Sequence, residues 1–112
     1  MITLGIDPGT AICGYGFVET VGSRLRPLAY GSVFTVPEMR MEERLMKIYD
    51  ALDALIKKHK PEVMGVEKLF FNRNVTTAIP VGQARGVVLL AAAKNSLPIV
   101  ERQCVRIRAR CG

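Results

Sequence analysis

The hydrophobic period of this 112-residue chain first changes near residue 41, and that change constrains the fold more than any other feature. Before it lie three short runs: Ile2 to Ile6, Gly14 to Val18 and Leu28 to Val36. The first is closed by Asp7-Pro8-Gly9. Pro8 biases Asp7 toward extended geometry and Gly9 permits a tight bend, so the run reads as a buried strand ending in a turn. The third, LAYGSVFTV, is rich in residues that suit a pleated surface. Short connections between the three suggest an antiparallel meander.

From Met41 to His59 the apolar residues fall at Leu45, Ile48, Tyr49, Leu52, Leu55 and Ile56, which is helical spacing. Glu38, Glu42 and Glu43 near the start and Lys57, Lys58 and His59 near the end both favour the helix dipole, and Pro61 stops the helix. Val63 to Glu67 is another short apolar run ending in a carboxylate. A second helix is expected from about Val75 to Asn95, with Val81, Ala84, Val88, Leu89 and Ala92 on one face, and a fifth strand over Leu97 to Val100. The order β-β-β-α-β-α-β places the later strands parallel, in one mixed five-stranded α/β sheet with flanking helices.

The composition is that of one globular domain, large enough to bury a core without staples. The N-terminus has no basic region ahead of an apolar stretch, and Val87 to Ala93 is too short to span a bilayer, so neither a signal peptide nor a membrane span is expected. Cys13, Cys104 and Cys111 fit neither a disulfide framework nor a zinc site, which favours a reducing, cytoplasmic setting. Cys13 reads as a small core residue and His59 as an ordinary helix-terminal histidine. The formal charge of +6 invites a nucleic-acid partner. However, Arg102, Arg106, Arg108 and Arg110 all lie at the C-terminal end, so the body of the domain is only mildly basic.

Asp7 and Glu67 each stand at the C-terminal end of a short hydrophobic strand. In open α/β sheets ligands bind beyond the carboxyl ends of the strands. If the first and fourth strands are neighbours, the two carboxylates share a crevice. Hard cations such as Mg²⁺ are held by a few carboxylates plus phosphate oxygens. Two such ions about 3.5–4 Å apart suit phosphodiester cleavage. Against this, an Asp before Pro-Gly is commonly a turn residue, and a Glu after a strand is often merely solvated. Phe70 and Phe71, flanked by Lys68 and Arg73, suit stacking on unpaired bases with phosphate neutralisation. The competing reading makes them core or dimer-interface anchors, Phe71 more so than Phe70. Small residues Ala84 and Gly86 on the second helix suit a dimer face or, better, plain packing.

Three blocks carry a specific resemblance. GIDPGTAICGYG at Gly5–Gly16, VEKLFFNRN at Val66–Asn74 and VGQARGVVLLAAA at Val81–Ala93 resemble, in order and spacing, the successive motifs of the RuvC family of crossover (Holliday) junction endodeoxyribonucleases. The resemblance implies an RNase H-like fold and a homodimer that makes paired, Mg²⁺-dependent nicks in four-way DNA junctions during recombination and repair. It also implies work beside the RuvA–RuvB branch-migration complex. By position it makes Asp7 and Glu67 catalytic metal ligands, with two Mg²⁺ per active site. Phe70 becomes the loop aromatic that contacts junction bases, with Lys68, Asn72 and Arg73 as DNA-binding neighbours.

The resemblance covers residues 1 to about 101. A relative would continue through a glycine-rich loop into a C-terminal helix bearing two more acidic ligands, whereas this chain reads RQCVRIRARCG after Glu101. The expectation is therefore a partial nuclease domain over 1–101 with its C-terminal helix missing, followed by an aberrant basic tail over 102–112 from a frameshifted or prematurely ended gene. Nuclease activity is expected to be weak or absent and stability reduced. Alternatives are a resolvase of the YqgF type, against which the Phe70-Phe71-Asn72 block and the GQARG run argue, and a sugar-kinase or actin-like fragment, which needs further phosphate loops. From another class comes a non-catalytic junction-binding or dimerisation module.

Overall fold

A computed structural model describes residues 1–68 and 75–103. The elements are β1 (Ile2–Asp7), β2 (Ile12–Val21), β3 (Arg24–Phe34), α1 (Met41–His59), β4 (Val63–Lys68), α2 (Val75–Lys94) and β5 (Ile99–Gln103). The order expected from the hydrophobic pattern is the order found. The strands form one sheet in the order β3-β2-β1-β4-β5. β1 pairs antiparallel with β2 and β2 with β3, whereas β1–β4 and β4–β5 are parallel. That is the arrangement a hairpin meander followed by two helical crossovers must produce.

β2 runs beyond both of its expected ends, while β3 begins at Arg24, ahead of the expected Leu28, and stops at Phe34 rather than Val36. Their hairpin closes through Gly22, whose φ of 62° provides the left-handed conformation a two-residue turn needs. Val21 and Leu25 near the turn are exposed, so backbone pairing rather than burial carries the strands that far. The ladder is irregular at Phe17/Val18, where Ala29 and then Pro27 are the partners. Proline can stand there because β3 is an edge strand and the missing N–H costs no central ladder bond.

The core forms on one face of the sheet. Leu4 and Ile6 of β1, Cys13 and Phe17 of β2, Val33 of β3, and Met64 and Val66 of β4 are buried among residues that lie half-buried or exposed along the same strands. They join Ile48, Leu52 and Ile56 of α1 and Ala84, Val88, Ala91 and Ala92 of α2 in a single cluster. The alanines let α2 approach closely. Phe17 is fully buried and its ring lies 4.4 Å, centroid to centroid, from that of His59 at the end of α1. Cys13 is buried, as its sequence context suggested, and burial foremost pushes its thiol pKa up, with the Asp7 charge adding to it.

Helix α1 begins where the Arg40 N–H donates to the Glu43 carboxylate at 3.0 Å. It ends at Lys60, whose left-handed backbone (φ 51°) lets its N–H reach the Ile56 carbonyl at 2.8 Å. Asn95, just past α2, donates through Nδ2 to Asp53 on α1 at 2.8 Å and so ties the two helices together. Among the described residues, no helix is long and apolar enough to cross a membrane.

The opposite face of the sheet is open. Gly65, Gly5 and Gly16 lie side by side on β4, β1 and β2, leaving its centre bare. Val100 and Tyr30, the latter 85% exposed, flank this strip on β5 and β3.

Candidate active site

Asp7 is the last residue of β1, and it is exposed. In alternation it follows the buried Ile6, so it belongs with Thr3 and Gly5 to the open side of the sheet. Its cross-strand partner on β2 is Gly14, which presents no side chain to it. On the other flank the parallel register with β4 is constant: Thr3 with Val63, Leu4 with Met64, Gly5 with Gly65 and Ile6 with Val66. The next step along both strands is Asp7 on β1 and Glu67 on β4. Neighbouring strands lie about 4.8 Å apart, so the backbone brings the two sequence-predicted carboxylate positions side by side.

The turn that follows Asp7 is tightly built. Pro8 is buried. A Cβ on Gly9 would lie 2.4 Å from the Ile12 carbonyl oxygen, closer than real contacts allow, so only glycine fits there. Thr10 and Ala11 are held by their carbonyls from Thr35, the residue just after β3. The Thr35 N–H donates to the Ala11 carbonyl at 3.0 Å, and its hydroxyl donates to the Thr10 carbonyl. Arg44 Nε on α1 in turn donates to the Thr35 hydroxyl oxygen at 2.8 Å. Sequence reasoning passed over Thr35 and Arg44, because nothing in the pattern links residues so placed.

Lys68 ends β4, directly after Glu67. Phe70, Phe71, Asn72 and Arg73 lie outside the described residues. Glu101, the only acidic residue after Glu67, pairs in register with Val66 on β5. Its carboxylate forms an ion pair with Arg85 of α2 at 2.9 Å. It is therefore engaged by the helix layer instead of joining Asp7. Among the described residues no group of three or more acidic, histidine or cysteine side chains is placed to hold a metal ion.

Comparison with known proteins bears directly on this arrangement. Residues 3–111 match the family model for crossover junction endodeoxyribonuclease RuvC. The chain belongs to the RuvC family. RuvC of Heliobacterium modesticaldum is 56% identical over 101 residues, 90% of this chain and 62% of the relative. RuvC of Desulforamulus reducens is 47% identical over 108 residues, 96% of this chain and 66% of the relative. The chain thus spans a little under two thirds of the length of these RuvC proteins. In three dimensions it superposes on Thermus thermophilus RuvC in complex with Holliday junction substrate with a TM-score of 0.90 at 31% identity, covering 97% of this chain and 70% of that one. The expected RNase H-like mixed sheet with flanking helices is thereby the fold of the chain. A fowlpox virus Holliday junction resolvase, at 13% identity and a TM-score of 0.63, shares that fold.

Proposed function

We propose that this chain carries the Asp7–Glu67 part of a RuvC-type catalytic centre and serves the hydrolysis of phosphodiester bonds at four-way DNA junctions, in recombination and repair. The observation that supports this best is the parallel β1–β4 register, which makes Asp7 and Glu67 neighbours at the carboxyl ends of the two central strands. Family membership and the likeness to a RuvC protein bound to Holliday junction substrate give the substrate class.

The donor set suits Mg²⁺. Both side chains are hard carboxylate oxygens, Asp7 is open to solvent, and Gly14 beside it leaves space for water and a phosphate. Asp7 and Glu67 would hold the ion, two ions in a completed site. The bound cation supplies charge neutralisation at the phosphate and activation of a water. The chain's own contribution is to fix the carboxylates on two hydrogen-bonded strands, so that little reorganisation is needed when substrate arrives. Phe70 would stack on unpaired junction bases, while Lys68, Asn72 and Arg73 contact the backbone. In this reading the functional unit is a homodimer working with RuvA and RuvB, in the cytoplasm.

A second reading takes from the likeness to a RuvC protein in complex with Holliday junction substrate the binding alone. In it the chain binds junctions without cutting them. One experiment separates the two: incubate purified chain with labelled four-way junctions, with and without Mg²⁺, and follow both retardation and nicking. Mg²⁺-dependent nicking that Asp7→Asn abolishes supports the first reading. Retardation with no nicking at any Mg²⁺ concentration supports the second, and neither retardation nor nicking refutes both.

A further inference from the structure

Thr35 is the one buried residue with a polar side chain among the described residues, at 8% exposure. A buried hydroxyl is costly unless it is fully hydrogen-bonded, and this one is used in both directions. It donates to the Thr10 carbonyl and accepts from Arg44 Nε at 2.8 Å. With the Thr35 N–H on the Ala11 carbonyl at 3.0 Å, successive carbonyls of the turn after Asp7 are tied to the end of β3 and, through Arg44, to α1. The β1–β2 ladder cannot hold this turn itself, since its pairing closes at Asp7 and Gly14. Gly9, with the Ile12 carbonyl against it, leaves the turn no alternative path that a larger residue could share.

We infer that Thr35 and Arg44 are positioning residues for the Asp7 carboxylate. They clamp the Pro8–Ala11 turn from outside the strand pair, so that the backbone leaving Asp7 has one conformation and its side chain one origin. The inference rests on the reading of Asp7 as a cation ligand. Partners hydrogen-bonded to a ligand itself typically change metal affinity by roughly 10- to 100-fold when removed, and Thr35 and Arg44 act one step further back, through the turn carbonyls, so their effect belongs at the lower end of that range. Thr35 and Arg44 touch neither cation nor DNA in this scheme.

The test uses the whole 112-residue chain and Mn²⁺ as the probe, with binding read from its spin resonance signal so that no turnover is needed. Thr35→Val keeps the shape and leaves the Thr10 carbonyl and Arg44 Nε without their partner. It should weaken Mn²⁺ binding roughly tenfold. Thr35→Ser, which restores the hydroxyl, should recover the affinity. Arg44→Met, which removes only the outer donor and leaves Thr35 in place, should weaken binding in the same direction and keeps the inference testable if Thr35→Val fails to fold. Asp7-dependent Mn²⁺ binding that both Thr35→Val and Arg44→Met leave at the wild-type level overturns the inference alone. Equal Mn²⁺ binding by the wild-type chain and Asp7→Asn overturns the ligand reading beneath it.

Discussion

Ile6 on β1 pairs with Val66 on β4 in parallel register, and the next residue on each strand is a carboxylate, Asp7 and Glu67. The apolar pair is buried in the helix-covered core, at 6% and 2% exposure, while Asp7 stands on the open side. One step along the strands thus separates the residues that hold the sheet together from those assigned to its chemistry. A substitution at Asp7 should leave the core untouched. Asp7→Asn is expected to abolish Mg²⁺-dependent nicking of four-way junctions while the thermal unfolding midpoint stays within about 2–4 °C of wild type, since surface substitutions typically shift stability by about 0.5 kcal/mol or less. Nicking assays paired with calorimetry check both halves.

Gly9 and Gly86 should respond oppositely to the same change. A Cβ at Gly9 meets the Ile12 backbone oxygen at 2.4 Å, whereas one at Gly86, exposed on α2, meets nothing within 4 Å. Gly86→Ala is expected to stabilise the chain by about 0.5–1 kcal/mol, through the helix preference of alanine. Gly9→Ala should destabilise it and disturb the turn after Asp7. Urea denaturation of both variants decides the matter, and a stabilised Gly9→Ala chain would contradict the turn geometry.

The Asp53 carboxylate receives Lys57 Nζ at 2.8 Å on one oxygen and Asn95 Nδ2 at 2.8 Å on the other. These bonds, that from Lys57 foremost, hold its pKa below the ordinary aspartate value, and Asp53 in turn raises the pKa of Lys57. A carboxyl with a depressed pKa in the folded state adds stability that is present above the unfolded value, about 3.9, and lost as pH falls through the folded one. Asp53→Asn should therefore be less stable than wild type at neutral pH, by a small surface-pair increment. The difference should shrink as pH is lowered through the acid range, and urea midpoints measured across that range test the sign. A gap that widens toward acid would show that the carboxylate is not stabilised here.

Junction binding should depend on Phe70. If its ring stacks on an unpaired base, Phe70→Ala costs about 1–3 kcal/mol of binding and leaves the unfolding midpoint unchanged. If it is a core anchor, stability falls first. Gel retardation at fixed salt, alongside circular dichroism on the same preparations, distinguishes the two.

Much of this was legible along the chain. Helix α1 has the expected limits because six apolar residues keep a strict helical period between acidic and basic ends, and because Pro61 cannot continue it. The face expected on α2 is the packed one, with Ala84, Val88 and Ala92 buried, and Ala91 joins them. The strand limits were less legible. The pattern placed β2 at Gly14–Val18 and β5 at Leu97–Val100, whereas they run Ile12–Val21 and Ile99–Gln103. Exposed ends of paired strands owe their conformation to cross-strand hydrogen bonds, and those bonds leave no apolar signature.

The same distinction governs the site. Local sequence determined which carboxylates stand at strand ends, because an apolar run leads into each of them and a turn-forming Pro-Gly follows Asp7. It also determined the family, through three motif blocks in order. Only the tertiary structure decided that β1 and β4 are adjacent, that Glu101 is committed to Arg85 on α2, and that Thr35 and Arg44 brace the turn behind Asp7. Each of these arrangements joins different elements of the chain. Their partners are selected by the register of the sheet and the packing of the helices, and neither is written in any local pattern of residues.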